Sequence, residues 1–326
     1  MKSQHGAAIL TAMLTVVLVA SLASATLWQQ WRAVEVEAAE RERTQSTWIL
    51  NGALDWARLI LREDARKGGA DHLAEPWAVP LAPARLSSFL AADQSDALAA
   101  DAAREAFLSG QITDLQSRLN VANLVLGGSI DAPSRLAFVR LFELLDLPES
   151  ELLLLLDKLR LAQVAPAGGA VAAPPLDAPD AARIALWPQT IDQLAWLGLS
   201  PRSIAVLRPF VTILPERTPV NLNTAPAEVI YACVEGFDLA DAHRLVQARN
   251  TAYLSDSNVG SKIGEIKTAA QFNTALHSVS SRFFEVRGSL RIDQSTVQEQ
   301  SVVQRDGLDV KTLSRQRVAS PPAPLQ

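Results

Sequence analysis

Met1-Lys2-Ser3-Gln4-His5-Gly6, followed by AAILTAMLTVVLVASLASATL over Ala7–Leu27, decides how this chain is built: a polar leader with one lysine runs straight into 21 residues without a charge. As a helix rising 1.5 Å per residue, that stretch covers about 30 Å, the thickness of a bilayer's hydrocarbon core. An ordinary secretory signal has a shorter apolar run, about 7–15 residues, with its small-residue cleavage site after it. Here the break in chemistry comes before the apolar run, at Gly6–Ala7. The sequence therefore predicts a helix that crosses a membrane and remains part of the protein. Lys2 lies on one side and Arg32 is the first basic residue on the other, so the positive-inside tendency keeps the leader cytoplasmic and exports the bulk.

Beyond Leu27 the pattern becomes one-sided. Charges dominate from Arg32 to Arg43, after which Ile49, Ala53, Trp56 and Ile60, and one residue on Leu50, Leu54, Ala57 and Leu61, recur at helical spacing. No proline occurs before Pro76, so one helix is expected from about Ala7 to Arg66, stopped by Lys67-Gly68-Gly69. Trp28 and Trp31 sit where the apolar run meets water and read as interfacial anchors; Trp48 and Trp56 read as core aromatics.

The 326 residues exceed one typical domain, and two cores are expected outside the membrane. Net charge is −5 with a pI near 5.5, which gives no positive field for nucleic acid or an anionic surface. Cys233 is the only cysteine, so an internal disulfide is excluded, and its neighbourhood VIYACVEGF favours an inert buried thiol. From Pro133 to about His277 the chain reads as helical, with segments at Leu136–Leu145, Glu149–Leu161, Thr190–Leu197 and Pro201–Phe210 and a Pro/Ala/Gly-rich mobile link at Ala165–Pro179. In VNLNTAPAEVI (Val220–Ile230), Thr224 is the candidate N-cap, Pro226 falls in the first turn and Glu228 complements the helix dipole. Phe283–Ile292, Thr296–Gln304 and Val310–Arg317 read as three antiparallel strands, the last two joined by the Asp306-Gly307 turn, with a disordered Pro-rich tail beyond them.

Chemistry-bearing motifs are sparse. Ser255-Asp256-Ser257-Asn258 places oxygen-bearing side chains at alternate positions, as a calcium loop does, but the closing bidentate Glu is absent; a solvated turn is the simpler reading, with Asp256 and Asn258 the weak candidate ligands. His5, His72, His243 and His277 lack zinc spacing, and there is neither a nucleophile elbow nor a phosphate-binding glycine loop. No catalytic residue is assigned, and an enzyme is not expected.

A short basic leader ending in Gly directly before an apolar helix resembles the signal of type IV prepilins and pseudopilins. The resemblance implies cleavage between Gly6 and Ala7 by prepilin peptidase and N-methylation of Ala7. EPWAVPL (Glu75–Leu81), GQITDLQSRLN (Gly110–Asn120) and the NLNTAPAE segment narrow it to the K-type minor pseudopilins of type II secretion systems. Thr11 stands at the fifth mature position, where most pseudopilins carry a membrane-embedded Glu that meets the N-terminus of a neighbouring subunit; K-type members lack that Glu. A subunit placed first has no earlier subunit to neutralise.

The fold class this implies is α+β: a long N-terminal transmembrane helix packed on a small antiparallel sheet, with a large inserted all-α domain carrying helix-hairpin-helix or SAM-like motifs. The expected divisions are a leader (1–6), a transmembrane helix (7–27), the first part of the pseudopilin domain (28–130), the helical insertion (131–277), the C-terminal strands (278–318) and the tail (319–326). The implied role is a minor pseudopilin at the pseudopilus tip, single-pass in the bacterial inner membrane with a periplasmic head. Its expected partners are the I- and J-type minor pseudopilins, prepilin peptidase and inner-membrane lipid. The resemblance requires no cofactor but implies calcium as a ligand of the head. VNLNTAPAEVIYACVEGFDLADAHRLVQARN also resembles a helix-hairpin-helix DNA-binding repeat, which makes a membrane-anchored DNA-uptake receptor the alternative. Its hairpin, Glu235-Gly236-Phe237-Asp238, would meet a phosphate with two acids, so nucleic acid is not expected.

Overall fold

In a computed structural model of the chain, residues 5–86, 106–164, 186–292 and 295–318 are described. The expected link at Ala165–Pro179 and the tail 319–326 lie outside them. The chain divides into two compact units, residues 1–53 and 54–326.

The first unit is helical throughout its described length, as the start of α1 (His5–Lys67). By length and composition its apolar run can cross a membrane. Hydroxyls within the run bond back to the helix: Thr15 Oγ1 donates to Ala12 O, Ser21 Oγ to Leu18 O and Thr26 Oγ1 to Ala23 O. That satisfies groups which lipid cannot. Trp28 and Trp31 lie together at the end of the run, ring centroids 5.4 Å apart.

In the second unit, the last turns of α1 lie on a five-stranded antiparallel sheet of β1 (Leu81–Arg85), β2 (Ala106–Asp114), β3 (Phe283–Ile292), β4 (Ser295–Asp306) and β5 (Asp309–Val318), in that spatial order. The three C-terminal strands match the sequence expectation, and Gly307 takes the left-handed φ of +58° that the β4–β5 turn requires. β1 and β2 complete the sheet, with β2 beside β3 in the register Ile112↔Val286 and Asp114↔Phe284. Ala57 and Leu61 of α1 pack with Trp77, Ile112, Phe284, Val286, Val303 and Val310. Trp77 meets Phe284 edge-on at 5.2 Å, and Arg58 Nε donates to Val310 O at 2.8 Å. The row Leu54–Ala57–Leu61 thus faces this core. Trp48 and Trp56, expected inside, are instead 71% and 49% exposed: an indole on the adjoining row points off the stripe that α1 buries.

Residues 115–282 are threaded between β2 and β3 and build a second core. It holds α2 (Ala132–Leu144), α3 (Glu149–Val164), a 3₁₀ turn at Ile191–Leu197, α4 (Pro201–Leu207), α5 (Ala227–Cys233), α6 (Leu239–Thr251) and α7 (Val259–Ile266). Phe138, Leu141, Phe142, Leu155, Leu159, Leu194, Ile230 and Leu245 meet at its centre. Start signals specify its helices: Asp131 accepts from Ser134 N, Ser200 from Ser203 N, and Asp238 forms a capping box with Asp241. Gly198 ends the 3₁₀ turn at φ +101°, where a Cβ would stand 2.2 Å from Leu154 Cδ2, so the close approach of this turn to α3 requires glycine. Leu119, Val121, Leu124 and Val125 belong to this helical core, so it begins before the expected boundary at 131: Leu119-Asn120 pairs in parallel with Val211-Thr212 and draws the segment in.

Candidate functional site

Ala7 and Gly6 lie in the first turns of α1, and Thr11 is exposed one turn further along. The arrangement presents an apolar helix surface, with Ile9, Leu10, Met13, Leu14, Val17 and Leu18 all exposed. Such a surface is stable in lipid or against other apolar helices.

The head is held together at a buried polar seam where the helical section meets the sheet. Asp114, the last residue of β2, accepts at Oδ2 from Thr224 Oγ1 (2.6 Å), Ser281 Oγ (2.6 Å) and Asn221 Nδ2 (3.1 Å), and at Oδ1 from Gln116 N (2.7 Å). Burial outweighs these bonds and pushes its carboxyl up to about 6. Thr224 was expected to cap α5, but its hydroxyl is taken by Asp114 and the cap position falls on Pro226. Beside this group, Arg305 of β4 donates from Nη1 to Asp64 Oδ2 (2.8 Å) and from Nη2 to Asp71 Oδ1 (2.5 Å) and Ser281 O (2.8 Å). Its guanidinium lies 4.9 Å from the Phe284 ring. Glu75 Oε2 accepts from His72 N and Trp77 Nε1; burial, with Asp64 nearby, pushes this carboxyl up to about 7. Nothing in local sequence signals the seam, because its partners are as much as 241 residues apart. The pairing of Asn221 and Thr224 with β2 is the physical reason for the NLNT part of the motif.

The hairpin between α5 and α6 turns at Gly236, φ +86°. Its carbonyls Val234 O and Phe237 O accept from the Arg140 guanidinium, which also stacks 4.3 Å from the Tyr231 ring. On the α6 side Asp241 accepts from the Asp238 backbone N–H and pairs with Lys267 and Arg244, and these bonds hold its carboxyl down at about 2. The hairpin thus docks on α2 of its own chain, with acids at its tip. Cys233 is buried beneath it, its thiol pushed up to about 12 by desolvation.

Two places bring oxygen atoms together. At Ser255–Asn258, Asn258 Oδ1 accepts from Ser255 N and the Ser255 and Ser257 hydroxyls bond each other, which leaves Asp256 as the sole carboxylate; this set does not form a calcium cradle. Carboxylate oxygens of Asp64, Asp71 and Glu75 do converge within 4.8 Å, but Arg305 already supplies the positive charge there.

The comparisons with known proteins follow the same architecture. A family model described as Type II secretion system (T2SS), protein K matches residues 220–280, and a second so described matches residues 117–216. Together they cover the helical section and the start of its seam. The type II secretion system protein K of Pseudomonas aeruginosa is 28% identical over 307 residues, 87% of this chain and 84% of that protein. The crystal structure of the GspK-GspI-GspJ complex from the enterotoxigenic Escherichia coli type 2 secretion system contains a chain of similar fold, with a TM-score of 0.58 at 17% identity, covering 86% of this chain and 99% of that one. The two family models, the relative and the structural neighbour all point one way: this chain is similar to the type II secretion system protein K, a minor pseudopilin.

Proposed function

We propose that this chain starts and caps the pseudopilus of a type II secretion system, acting by assembly rather than catalysis, in complex with I- and J-type minor pseudopilins. In this reading prepilin peptidase cuts between Gly6 and Ala7, Ala7 is methylated, and the helix stays in the inner membrane with the head in the periplasm. The observation that carries it is the insertion of residues 115–282 between two neighbouring strands of the sheet, which adds a second core to the head, bulk that would obstruct a further subunit stacking on it. Thr11 agrees with it, since a first subunit does not need a carboxylate to meet an earlier one. The expected contacts in the membrane are apolar helices side by side in lipid, where Ala20, Ser21, Ala23, Ser24 and Ala25 allow close approach.

Leu18→Arg tests the role. A charge at the centre of the apolar run costs about 2.5–3.5 kcal/mol of insertion. Secretion of a reporter substrate by a strain carrying only this variant should fall to background. Normal secretion by a variant present at parental level would contradict the proposal.

A further inference from the structure

Beside the seam, a cavity of about 720 Å³ opens between the segment that follows α1 and the C-terminal end of α6. Its polar lining includes His72, Asn223, Arg249, Thr251, Tyr253 and Asn258, and among the described residues no carboxylate lines it. In a chain of net charge −5 that is an unusual concentration of donors. Arg249 is the decisive residue. It is 8% exposed, and its one side-chain hydrogen bond runs from Nη1 to Leu222 O. Nε is buried without a partner, and among the described residues no acid pairs with this guanidinium. Burial alone pushes it down to about 10, with no neighbouring charge in compensation. The other buried guanidinium, Arg305, holds two carboxylates, so the fold does pair such a charge where its own acids can reach. Asp64 and Asp71, which act electrostatically on His72, are turned onto Arg305, and the His72 ring stacks on Tyr253 at 4.2 Å.

A buried guanidinium without a counter-ion costs several kcal/mol, and the partner that best satisfies its planar donors is a carboxylate. We propose that this cavity is a binding site for a carboxylate, with Arg249 as the charge partner and the His72–Tyr253 pair as a flat wall. The source is either a small free carboxylate or the acidic side chain of a bound polypeptide. The two share the same chemistry at Arg249 and differ in what lies beyond it.

The test is a titration of the full chain in detergent micelles with succinate and, separately, with the capped peptide acetyl-Gly-Asp-Gly-amide, followed by histidine-selective NMR at constant ionic strength. The His72 ring resonance should move saturably while those of exposed His243 and buried His277 stay fixed. Arg249→Lys should weaken the apparent affinity at least 10-fold, because it loses the planar fork. Tyr253→Ala, at a half-exposed position that the core does not need, should weaken it several-fold and serves if Arg249→Lys fails to fold. Saturation by succinate alone identifies a free carboxylate, and tighter binding of the peptide identifies an acidic side chain; either supports the site. A response matched by chloride, or affinity unchanged in the variants that fold, would overturn it.

Discussion

The hydroxyl of Thr224 donates to Oδ2 of Asp114 at 2.6 Å, a contact that joins the end of β2 to the segment leading into α5, 110 residues later. Through it the inserted helical section is fastened to the sheet by a carboxylate instead of by apolar packing alone. Asp114→Ala would leave Ser281 and the Gln116 amide without their acceptor and take one from Thr224 and Asn221, all of them buried. The expected loss is about 3–5 kcal/mol of head stability, measured by urea denaturation of the full chain. A variant within 1 kcal/mol of the parent would show that the seam does not bear on stability.

Arg305→Met keeps the apolar stem over Phe284 but strands Asp64 and Asp71. Breaking a buried pair in this way costs about 3–5 kcal/mol near neutral pH. The deficit should shrink at pH 5, because burial already raises the Asp71 carboxyl and its protonation removes an unpaired charge. Urea midpoints at the two pH values measure both effects.

The pH dependence of the head has a definite sign at Glu75. Its folded carboxyl lies at about 7 against an ordinary 4.5, so its contribution is fully present below 4.5 and is lost as pH rises through 7. His72 and His277, pushed down by burial, act oppositely and lose stability as pH falls below 6.5. The clean quantity is therefore the difference between Glu75→Gln and the parent: the variant should gain stability relative to the parent as pH is raised from 5 to 8, read from thermal midpoints. A constant difference would contradict this reading of Glu75.

Cys233 should be silent. With its thiol buried and pushed up to about 12, a maleimide should leave it unmodified in the folded chain and label it fully in denaturant. Mass spectrometry distinguishes the two.

Local signals made much of this fold legible. The charge-free run before Trp28, the Gly68-Gly69 stop and the Asp306-Gly307 turn each rest on residues close in sequence, and α1 and β3–β5 follow them closely. Long-range choices were not legible. Trp56 and Ala57 sit on adjoining helical rows, and only the position of the sheet decides which row is buried. Thr224 has the chemistry of a cap, yet Asp114 competes for its hydroxyl from a distant strand. The Asp64–Arg305–Asp71 group leaves no sequence trace because an Arg on a strand and two acids near a helix end are ordinary surface residues until the fold encloses them.

The central claim concerns what the head assembles with. The most direct measurement is co-expression of the full chain with the I- and J-type minor pseudopilins of the same host, followed by purification in detergent and determination of stoichiometry by native mass spectrometry. A stable complex with one copy of this chain is the predicted result. A chain that elutes alone, and that shifts labelled DNA in a salt-sensitive way, would contradict the tip assignment and favour an uptake receptor built on the α5–α6 hairpin.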